Sequence, residues 1–331
     1  MTDDLPPDPF RPLDKVHPAL ARFLSSDDVK NRPPWQDMGV KAARAGFRLL
    51  GLANGRGPSI ELVEDRTFGG VPCRLYRPAS AKRGLVVYFH GGGFVLGDLE
   101  THDATCRRVA DAGQRTVVAV DYRRCPENPF PAPNDDCEAA VRDAAATLSV
   151  PVNEVVLMGD SAGGHLAAAV TRRLVDADDQ PAGQCLLYPG LDASMDSQSY
   201  REFATGYGLT AATMKWFWSQ YLGDVTISDA PADANSATMP HVGDLPATYV
   251  LTCEFDVLRD EGEAFAQRTR EAGVPTRMVR WPGMIHGFVQ LGGVVPAAIE
   301  ATEEAAQVAA AMIDGRFEEL AMPPVADPQR N

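Results

Sequence analysis

Short apolar runs with little polar alternation recur along the chain from about residue 60 onward. Runs rich in Val, Ile and Leu are typical of strands buried on both faces of a sheet. The predicted strands are 59–66, 71–76, 85–89, 116–120, 155–158, 185–188, 248–252 and 277–280. Segments of helical hydrophobic period lie between or after them, at about 101–113, 134–148, 163–175, 260–272 and 297–313. This alternation predicts a mostly parallel, eight-stranded sheet with helices on both faces.

Two segments do not follow this alternation. Before the first strand, residues 17–24 and about 36–50 have an apolar face of helical period. After the sixth strand, residues 200–223 are helical in pattern and strongly aromatic. We expect the residues up to about 15 to form a loose arm, and those from Met322 onward to form a proline-rich tail.

The composition is that of an ordinary globular protein. Of 331 residues, 45% are apolar and 23% are charged. The net charge of −14 argues against nucleic acid or an anionic membrane as a partner, because both require basic patches. The N-terminus lacks the pattern of a secretory signal and no apolar run is long enough to span a membrane, so we expect a cytoplasmic protein. Six scattered cysteines without ligand spacing predict reduced thiols and no metal site.

The strand at 155–158 leads directly into the sequence Gly159-Asp160-Ser161-Ala162-Gly163, and an alanine-rich helix follows. A turn this tight between a strand and a helix strains its central residue and requires small neighbours. It would hold the Ser161 hydroxyl at the carboxyl end of the sheet, above a helix N-terminus, as a nucleophile requires. The motif alone is also compatible with an ordinary glycine loop.

A serine nucleophile needs a base to accept its proton and an acid to orient that base. Of the six histidines, His286 lies in a glycine-flanked loop just after the last predicted strand, on the same sheet edge as Ser161. Asp256 follows the strand 248–252 in the same way, with Asp260 as the alternative. The order Ser161, Asp256, His286 matches the arrangement of α/β-hydrolases.

The three consecutive glycines after His90 are candidates for binding the oxyanion that forms when a carbonyl is attacked. They follow the strand 85–89, and their N–H groups are unobstructed by side chains. We expect Gly91 and Gly92, together with Ala162, to form the oxyanion hole. A phosphate-binding loop is the alternative, but no Gly-Lys-Ser/Thr follows.

Four motifs together resemble the hormone-sensitive-lipase family of esterases, also called family IV. They are His90-Gly91-Gly92-Gly93, Asp121-Tyr122-Arg123-Arg124-Cys125-Pro126-Glu127, Gly159-Asp160-Ser161-Ala162-Gly163-Gly164 and Met284-Ile285-His286-Gly287-Phe288. The resemblance runs from about residue 60 to 315 and implies an α/β-hydrolase fold, hydrolysis of carboxylic esters and no cofactor. Gly-Asp-Ser-Ala-Gly is typical of one subgroup of the family. Arg124-Cys125 replaces the family's usual Leu-Ala in a stretch that is structural there, so the triad is unaffected.

The resemblance also implies a helical cap over the catalytic edge, where substrate choice would reside. The resulting division is 1–50 for the N-terminal cap helices, 51–199 for the core, 200–223 for a second cap segment, and 224–331 for the rest of the core and the tail. We expect Phe94, Tyr207 and Trp216 to line the substrate pocket. The alternative is that such rings only attach the cap to the core.

These patterns predict a carboxylesterase that cleaves short- to medium-chain esters through an acyl-enzyme, with a small-molecule ester as its partner. An amidase or lactonase with the same triad is one alternative. Another is a ligand-binding receptor on this fold, like the gibberellin receptor, which resembles the family but has lost the catalytic histidine. His286 argues against the receptor. Pairing of the edge strand near 277–280 across a homodimer stays open.

Overall fold

A single eight-stranded sheet organises the computed structural model, which describes residues 13–320. The spatial order is β1-β2-β4-β3-β5-β6-β7-β8. The strands are β1 Leu62–Phe68, β2 Val71–Arg77, β3 Lys82–Phe89, β4 Arg115–Val120, β5 Val155–Asp160, β6 Gly183–Leu187, β7 Thr248–Phe255 and β8 Thr276–Ile285. The pairs β1–β2 and β2–β4 are antiparallel and the others are parallel. The predicted mostly parallel sheet is therefore confirmed, although β1 begins later and β8 ends later than expected.

The helices cover both faces of this sheet. They are α1 Pro18–Leu24, α2 Asp27–Lys30, α3 Val40–Gly51, α4 Leu99–Gly113, α5 Ala132–Thr147, α6 Ala162–Asp176, α7 Gln198–Glu202, α8 Ala211–Leu222, α9 Arg259–Glu271 and α10 Ala297–Ile313. α4 packs on α10, and α5 packs on α6. β4, β5 and β6 are buried along their whole length, which explains why their sequences do not alternate. Within residues 13–320, no helix is both long and apolar enough to cross a bilayer.

The two irregular segments break into shorter elements than their sequences predict. The helical pattern of 36–50 is divided into a short turn, Trp35–Asp37, and α3, with Gly39 between them at φ 71°. The pattern of 200–223 is divided into α7, an irregular stretch and α8. A hydrogen bond of 3.0 Å from the Thr213 hydroxyl to Gln36 Oε1 joins the two segments. The expected arm lies mostly, and the expected tail entirely, outside the described residues.

Two arginines one turn apart attach α3 to the core. Arg44 donates from Nε to the carbonyl of Val95 at 2.8 Å and from Nη2 to the carbonyl of Cys125 at 2.9 Å. It also binds both carboxylate oxygens of Glu127, at 2.8 and 2.7 Å. Arg48 donates to Asp98 at 2.5 Å. Such forked pairs fix orientation as well as distance, so α3 is tied to the loop that follows β3.

Candidate active site

The turn between β5 and α6 holds Ser161 in a strained backbone conformation. Its φ of 56° and ψ of −120° lie in a region that L-residues rarely adopt. A Cβ added to Gly159 would overlap the backbone of Gly163, and one added to Gly163 would overlap the carbonyl of Phe89. The small residues of the motif are therefore required by close backbone approach, and they leave the Ser161 hydroxyl at the carboxyl end of the sheet.

Ser161, His286 and Asp256 form one continuous hydrogen-bonded chain. Ser161 Oγ lies 2.9 Å from His286 Nε2, and His286 Nδ1 lies 2.8 Å from Asp256 Oδ2. The Asp256 carboxylate is buried, and its Oδ1 accepts the N–H of Leu258 at 3.0 Å. Asp256 directly follows β7 and His286 directly follows β8, so the parallel strands bring both to the edge where β5 ends.

The alternative carboxylate, Asp260, is engaged elsewhere. Its Oδ2 accepts the N–H of Ser199 at 2.8 Å, and its Oδ1 accepts from Arg259 Nε at 2.8 Å. These contacts tie the start of α9 to α7. Asp260 has no hydrogen bond to His286 among the described residues.

The glycines after β3 differ from the prediction at one position. The N–H of Gly91 donates to Asp160 Oδ1 at 3.0 Å, so a protein carboxylate already occupies the donor that was expected to bind an oxyanion. Gly92 and Gly93, at φ 115° and 60°, instead line the same cavity as Ser161. Within residues 13–320, the N–H groups of Gly92, Gly93 and Ala162 make no hydrogen bond. Among the described residues, these three N–H groups are therefore the free donors beside Ser161.

Asp160 is a fully buried carboxylate in a network of donors. Besides Gly91, it accepts the hydroxyl of Tyr88 at 2.8 Å and lies 3.3 Å from Nε2 of His102. Burial alone raises the pKa of Asp160, but the contacts with His102 and Tyr88 outweigh it and lower the pKa overall. Asp160 thereby supports the loop that carries the glycines.

Two other histidines near the site are held neutral. Burial lowers the pKa of His90 to about 3, with the nearby His102 adding to the effect. Burial also lowers the pKa of His165 to about 4. His90 stacks on Tyr122 with ring centroids 4.2 Å apart. Within residues 13–320, neither the His90 ring nor the His165 ring forms a hydrogen bond with the Ser161 hydroxyl. Their roles in this arrangement are packing and hydrogen bonding.

A cavity of about 130 Å³ lies above Ser161. Its walls come from both irregular segments and from the core, and they are mainly apolar. They include Phe23, Leu24, Trp35, Phe47, Leu50, Leu209, Phe217 and Ile285. The cavity is therefore a small apolar chamber that opens onto a hydroxyl, an imidazole and free backbone donors.

The three aromatic residues expected in the pocket do not line this cavity, which corrects that prediction. Phe94 is buried and stacks on Tyr221 with centroids 3.9 Å apart. Tyr207 stacks on Phe255 at 5.3 Å. Trp216 contacts Phe217, and it is Phe217 that faces the cavity. Phe94 and Tyr207 therefore pack in the interior, in keeping with the alternative that such rings attach the cap to the core.

The cysteine thiols are packed in the interior of the fold. All six cysteines are buried and unbridged. Burial raises the pKa of Cys73 to about 12, as expected for an inert thiol. Among residues 13–320, no cluster of three or more His, Cys, Asp or Glu side chains is arranged to hold a metal ion.

Comparison with known proteins extends these observations to function. Residues 86–290 match a protein family described as having the alpha/beta hydrolase fold. The chain is 35% identical over 298 residues to the esterase LipI of Mycobacterium tuberculosis, with 87% of this chain and 92% of LipI covered. It is 37% identical over 283 residues to the carboxylesterase NlhH of the same species, with 80% and 86% covered.

A solved structure shows the same fold at similar identity. The ester-hydrolase EH1AB1, from the metagenome of Lake Arreo, superposes with a TM-score of 0.84 and 37% sequence identity. The match covers 90% of this chain and 99% of that one. That structure contains a derivative of bipyridine phosphonate.

Proposed function

Given that the chain belongs to the hormone-sensitive-lipase family of alpha/beta hydrolases and is a serine carboxylic ester hydrolase, we propose that it cleaves short- to medium-chain esters through an acyl-enzyme. The nucleophile is Ser161, the general base is His286, and Asp256 orients that base. The observation that carries this proposal is the continuous chain of hydrogen bonds, 2.9 Å from Ser161 to His286 and 2.8 Å from His286 to Asp256.

The first half of the reaction forms the acyl-enzyme. His286 Nε2 accepts the proton of the Ser161 hydroxyl as Oγ attacks the ester carbonyl. Asp256 holds Nδ1–H and stabilises the imidazolium that forms. The imidazolium then passes its proton to the leaving alcohol. In the second half, His286 activates a water that attacks the acyl carbonyl and releases the acid.

The oxyanion of each tetrahedral intermediate would be bound by the N–H groups of Gly92, Gly93 and Ala162. Their position beside Ser161 and their lack of a hydrogen-bond partner among residues 13–320 support this assignment. Donors fixed in advance, in a site that excludes water, contribute about 3 kcal/mol each to lowering the barrier. Gly91 supports this set indirectly, through its hydrogen bond to Asp160.

The preference for short to medium acyl chains is supported by the size and lining of the cavity. About 130 Å³ of mainly apolar space favours small apolar groups, and the two cap segments limit its extent. Rates across p-nitrophenyl esters from acetate to laurate should therefore peak at the shorter chains. A peak at laurate would exclude this part of the proposal.

The central test is Ser161→Ala. We expect kcat for p-nitrophenyl butyrate to fall roughly a million-fold, because the variant lacks the hydroxyl that forms the acyl-enzyme in the proposed mechanism. Circular dichroism and thermal unfolding should match the unchanged protein, since the substitution removes only a hydroxyl. Near-normal turnover in a folded Ser161→Ala protein would exclude the mechanism.

A further inference from the structure

Arg32 is a half-buried cation in the wall of the catalytic cavity. It lies in the loop after α2 and shares the cavity lining with Ser161 and His286. The rest of the cavity lining is mainly apolar, so this guanidinium places a positive charge in an apolar wall. Burial lowers the pKa of Arg32, yet an arginine stays protonated at every pH at which a protein folds.

The Arg32 guanidinium has no acceptor in the part of the chain that the structure describes. Among residues 13–320, it is the one arginine shielded from solvent for which no hydrogen bond or carboxylate partner is found. This is unusual in a chain with 45 Asp and Glu and only 31 Lys and Arg, where a carboxylate partner is readily available. Withdrawing a charge from water without a partner is unfavourable, and such groups in native structures call for an explanation.

The guanidinium is also held in a fixed orientation. Its Cζ lies 3.9 Å from the ring centroid of Trp35, and Trp35 packs edge-on against Phe47 at 5.9 Å. Stacking satisfies the face of the guanidinium but leaves its N–H edge free. An N–H edge fixed in this way binds a carboxylate at a lower entropic cost than a flexible side chain would.

A groove adjoining the cavity adds positive charge next to Arg32. The two spaces share Leu24, Val29, Arg32, Trp35 and Gly208 in their walls. The other charged residues of the groove are Lys30, Arg201 and Glu202. Glu202 is already paired with Arg259, at 3.4 Å. The approach to Arg32 is therefore locally cationic in a protein whose net charge is −14.

The carboxylates inside the cavity do not compensate Arg32. The one carboxylate in its lining is Asp160, which is taken up by Gly91, Tyr88 and His102. From this arrangement we propose that the enzyme prefers esters carrying a carboxylate remote from the scissile bond, and that Arg32 binds that carboxylate. This inference rests on the proposed function and names the substrate class of the same site.

The test compares matched esters that differ only in charge. Monoethyl adipate places a carboxylate at the far end of the acyl chain, and ethyl 6-hydroxyhexanoate places a neutral hydroxyl there. 5-Acetoxypentanoate and 5-hydroxypentyl acetate form the same pair on the alcohol side. The readout is the ratio of kcat/KM for the anionic ester to kcat/KM for its neutral partner, so the two pairs show which side of the ester carries the charge.

The unchanged protein should give a ratio above one in at least one pair. Arg32→Met should lower that ratio by about tenfold to a hundredfold, as for loss of a charge-assisted hydrogen-bonded pair. Arg32→Lys should restore it in part, because the charge remains but the stacked fork does not. Arg22→Met is the matched control. Arg22 is an exposed arginine of the same cap segment and does not line the cavity, so this variant should leave the ratio unchanged.

The outcomes separate this inference from the proposed function. A ratio below one in both pairs overturns the inference, whatever the variants do. The inference is also overturned if a folded Arg32→Met or Arg32→Gln variant gives the same ratio as the unchanged protein. If Arg32 only supported Trp35, its substitution would change kcat/KM for both members of a pair equally and leave the ratio unchanged. Absence of turnover on all four esters would instead count against the proposed function.

Discussion

The backbone N–H of Gly91 donates a hydrogen bond of 3.0 Å to Oδ1 of Asp160, the residue immediately before Ser161. The loop after β3 is thereby tied to the turn that carries the proposed nucleophile. The hydrogen bond between Gly91 and Asp160 is one of the contacts that fix the distance between the free glycine donors and Ser161. Asp160 is a positioning residue in this arrangement, because it touches no reacting atom.

Asp160→Ala should reduce both stability and turnover. It removes the carboxylate acceptor of the buried Tyr88 hydroxyl and leaves the N–H of Gly91 with only the longer contact to His102 Nε2, at 3.3 Å. We therefore expect a loss of about 3 kcal/mol in the free energy of unfolding. We also expect kcat to fall at least tenfold, with a smaller change in KM, because the donors act on the transition state. Urea unfolding and steady-state kinetics measure the two effects.

Tyr88→Phe is the matched comparison for Asp160→Ala. It removes one donor to the same carboxylate and leaves the hydrogen bond of Gly91 in place. The free energy of unfolding should therefore fall by about 1 kcal/mol, and kcat should stay within a few-fold of that of the unchanged protein. If both variants lowered kcat equally, the position of Gly91 would not be the cause.

Asp256→Asn should lower kcat by about ten-thousand-fold. An amide at this position cannot stabilise the imidazolium and favours the wrong tautomer of His286. Asp260→Asn is the control, because Asp260 holds Ser199 and Arg259 and should affect turnover only a few-fold. The reverse pattern in p-nitrophenyl ester kinetics would assign the acid to Asp260.

The pH dependence of stability should reveal the buried His165. Its pKa in the folded protein is about 4 against an ordinary value of 6.5, so the unfolded chain binds the extra proton between these values. The stabilising effect is complete above about pH 6.5 and is lost as the pH falls toward 4. From pH 7 to pH 5, this histidine alone should reduce the free energy of unfolding by about 2 kcal/mol.

His165→Gln isolates this contribution from other titrating groups. Urea unfolding at pH 7 and pH 5 should show a pH-dependent loss that is about 2 kcal/mol smaller in this variant than in the unchanged protein. His241→Gln serves as the control, since the His241 ring is exposed and should change little. An identical loss in all three proteins would contradict the burial argument.

Arg44→Met should loosen α3 from the core. The variant frees the carbonyls of Val95 and Cys125 and breaks the pair with Glu127, and we expect a loss of about 1 to 2 kcal/mol in the free energy of unfolding. Glu127→Gln removes only the ion pair between Arg44 and the exposed Glu127, so it should lower the free energy of unfolding by less than about 1 kcal/mol. Equal losses would show that the ion pair, not the carbonyls, attaches the helix.

The sequence was sufficient to predict Ser161, Asp256 and His286 as neighbours because each directly follows a strand of one parallel sheet. Strand ends on a common edge need no knowledge of side-chain packing. The free glycine donors are harder to assign, because backbone dihedrals within the run decide which N–H faces Asp160 and which face the cavity. A run of identical residues carries no sign of that choice.

The residues that line the pocket cannot be predicted from the hydrophobic pattern alone. Trp216, Phe217 and Trp218 are consecutive large aromatic residues in α8, so hydrophobic periodicity does not distinguish Trp216 from Phe217 as the residue that faces the cavity. Phe94 was likewise plausible from its place beside the glycines, but it stacks on Tyr221. Arg32 could not be singled out, because the absence of a partner is visible only in three dimensions.

The placement of His286 after the last strand also has a consequence for how the protein is made. A ribosome completes β6 at Leu187 and reaches His286 about 100 residues later, roughly five to twenty seconds of translation. Throughout that interval the growing polypeptide contains Ser161 but not His286, the proposed general base. Under the proposed mechanism, hydrolytic capacity therefore arises only once β8 has docked, and unfinished chains stay inert toward esters.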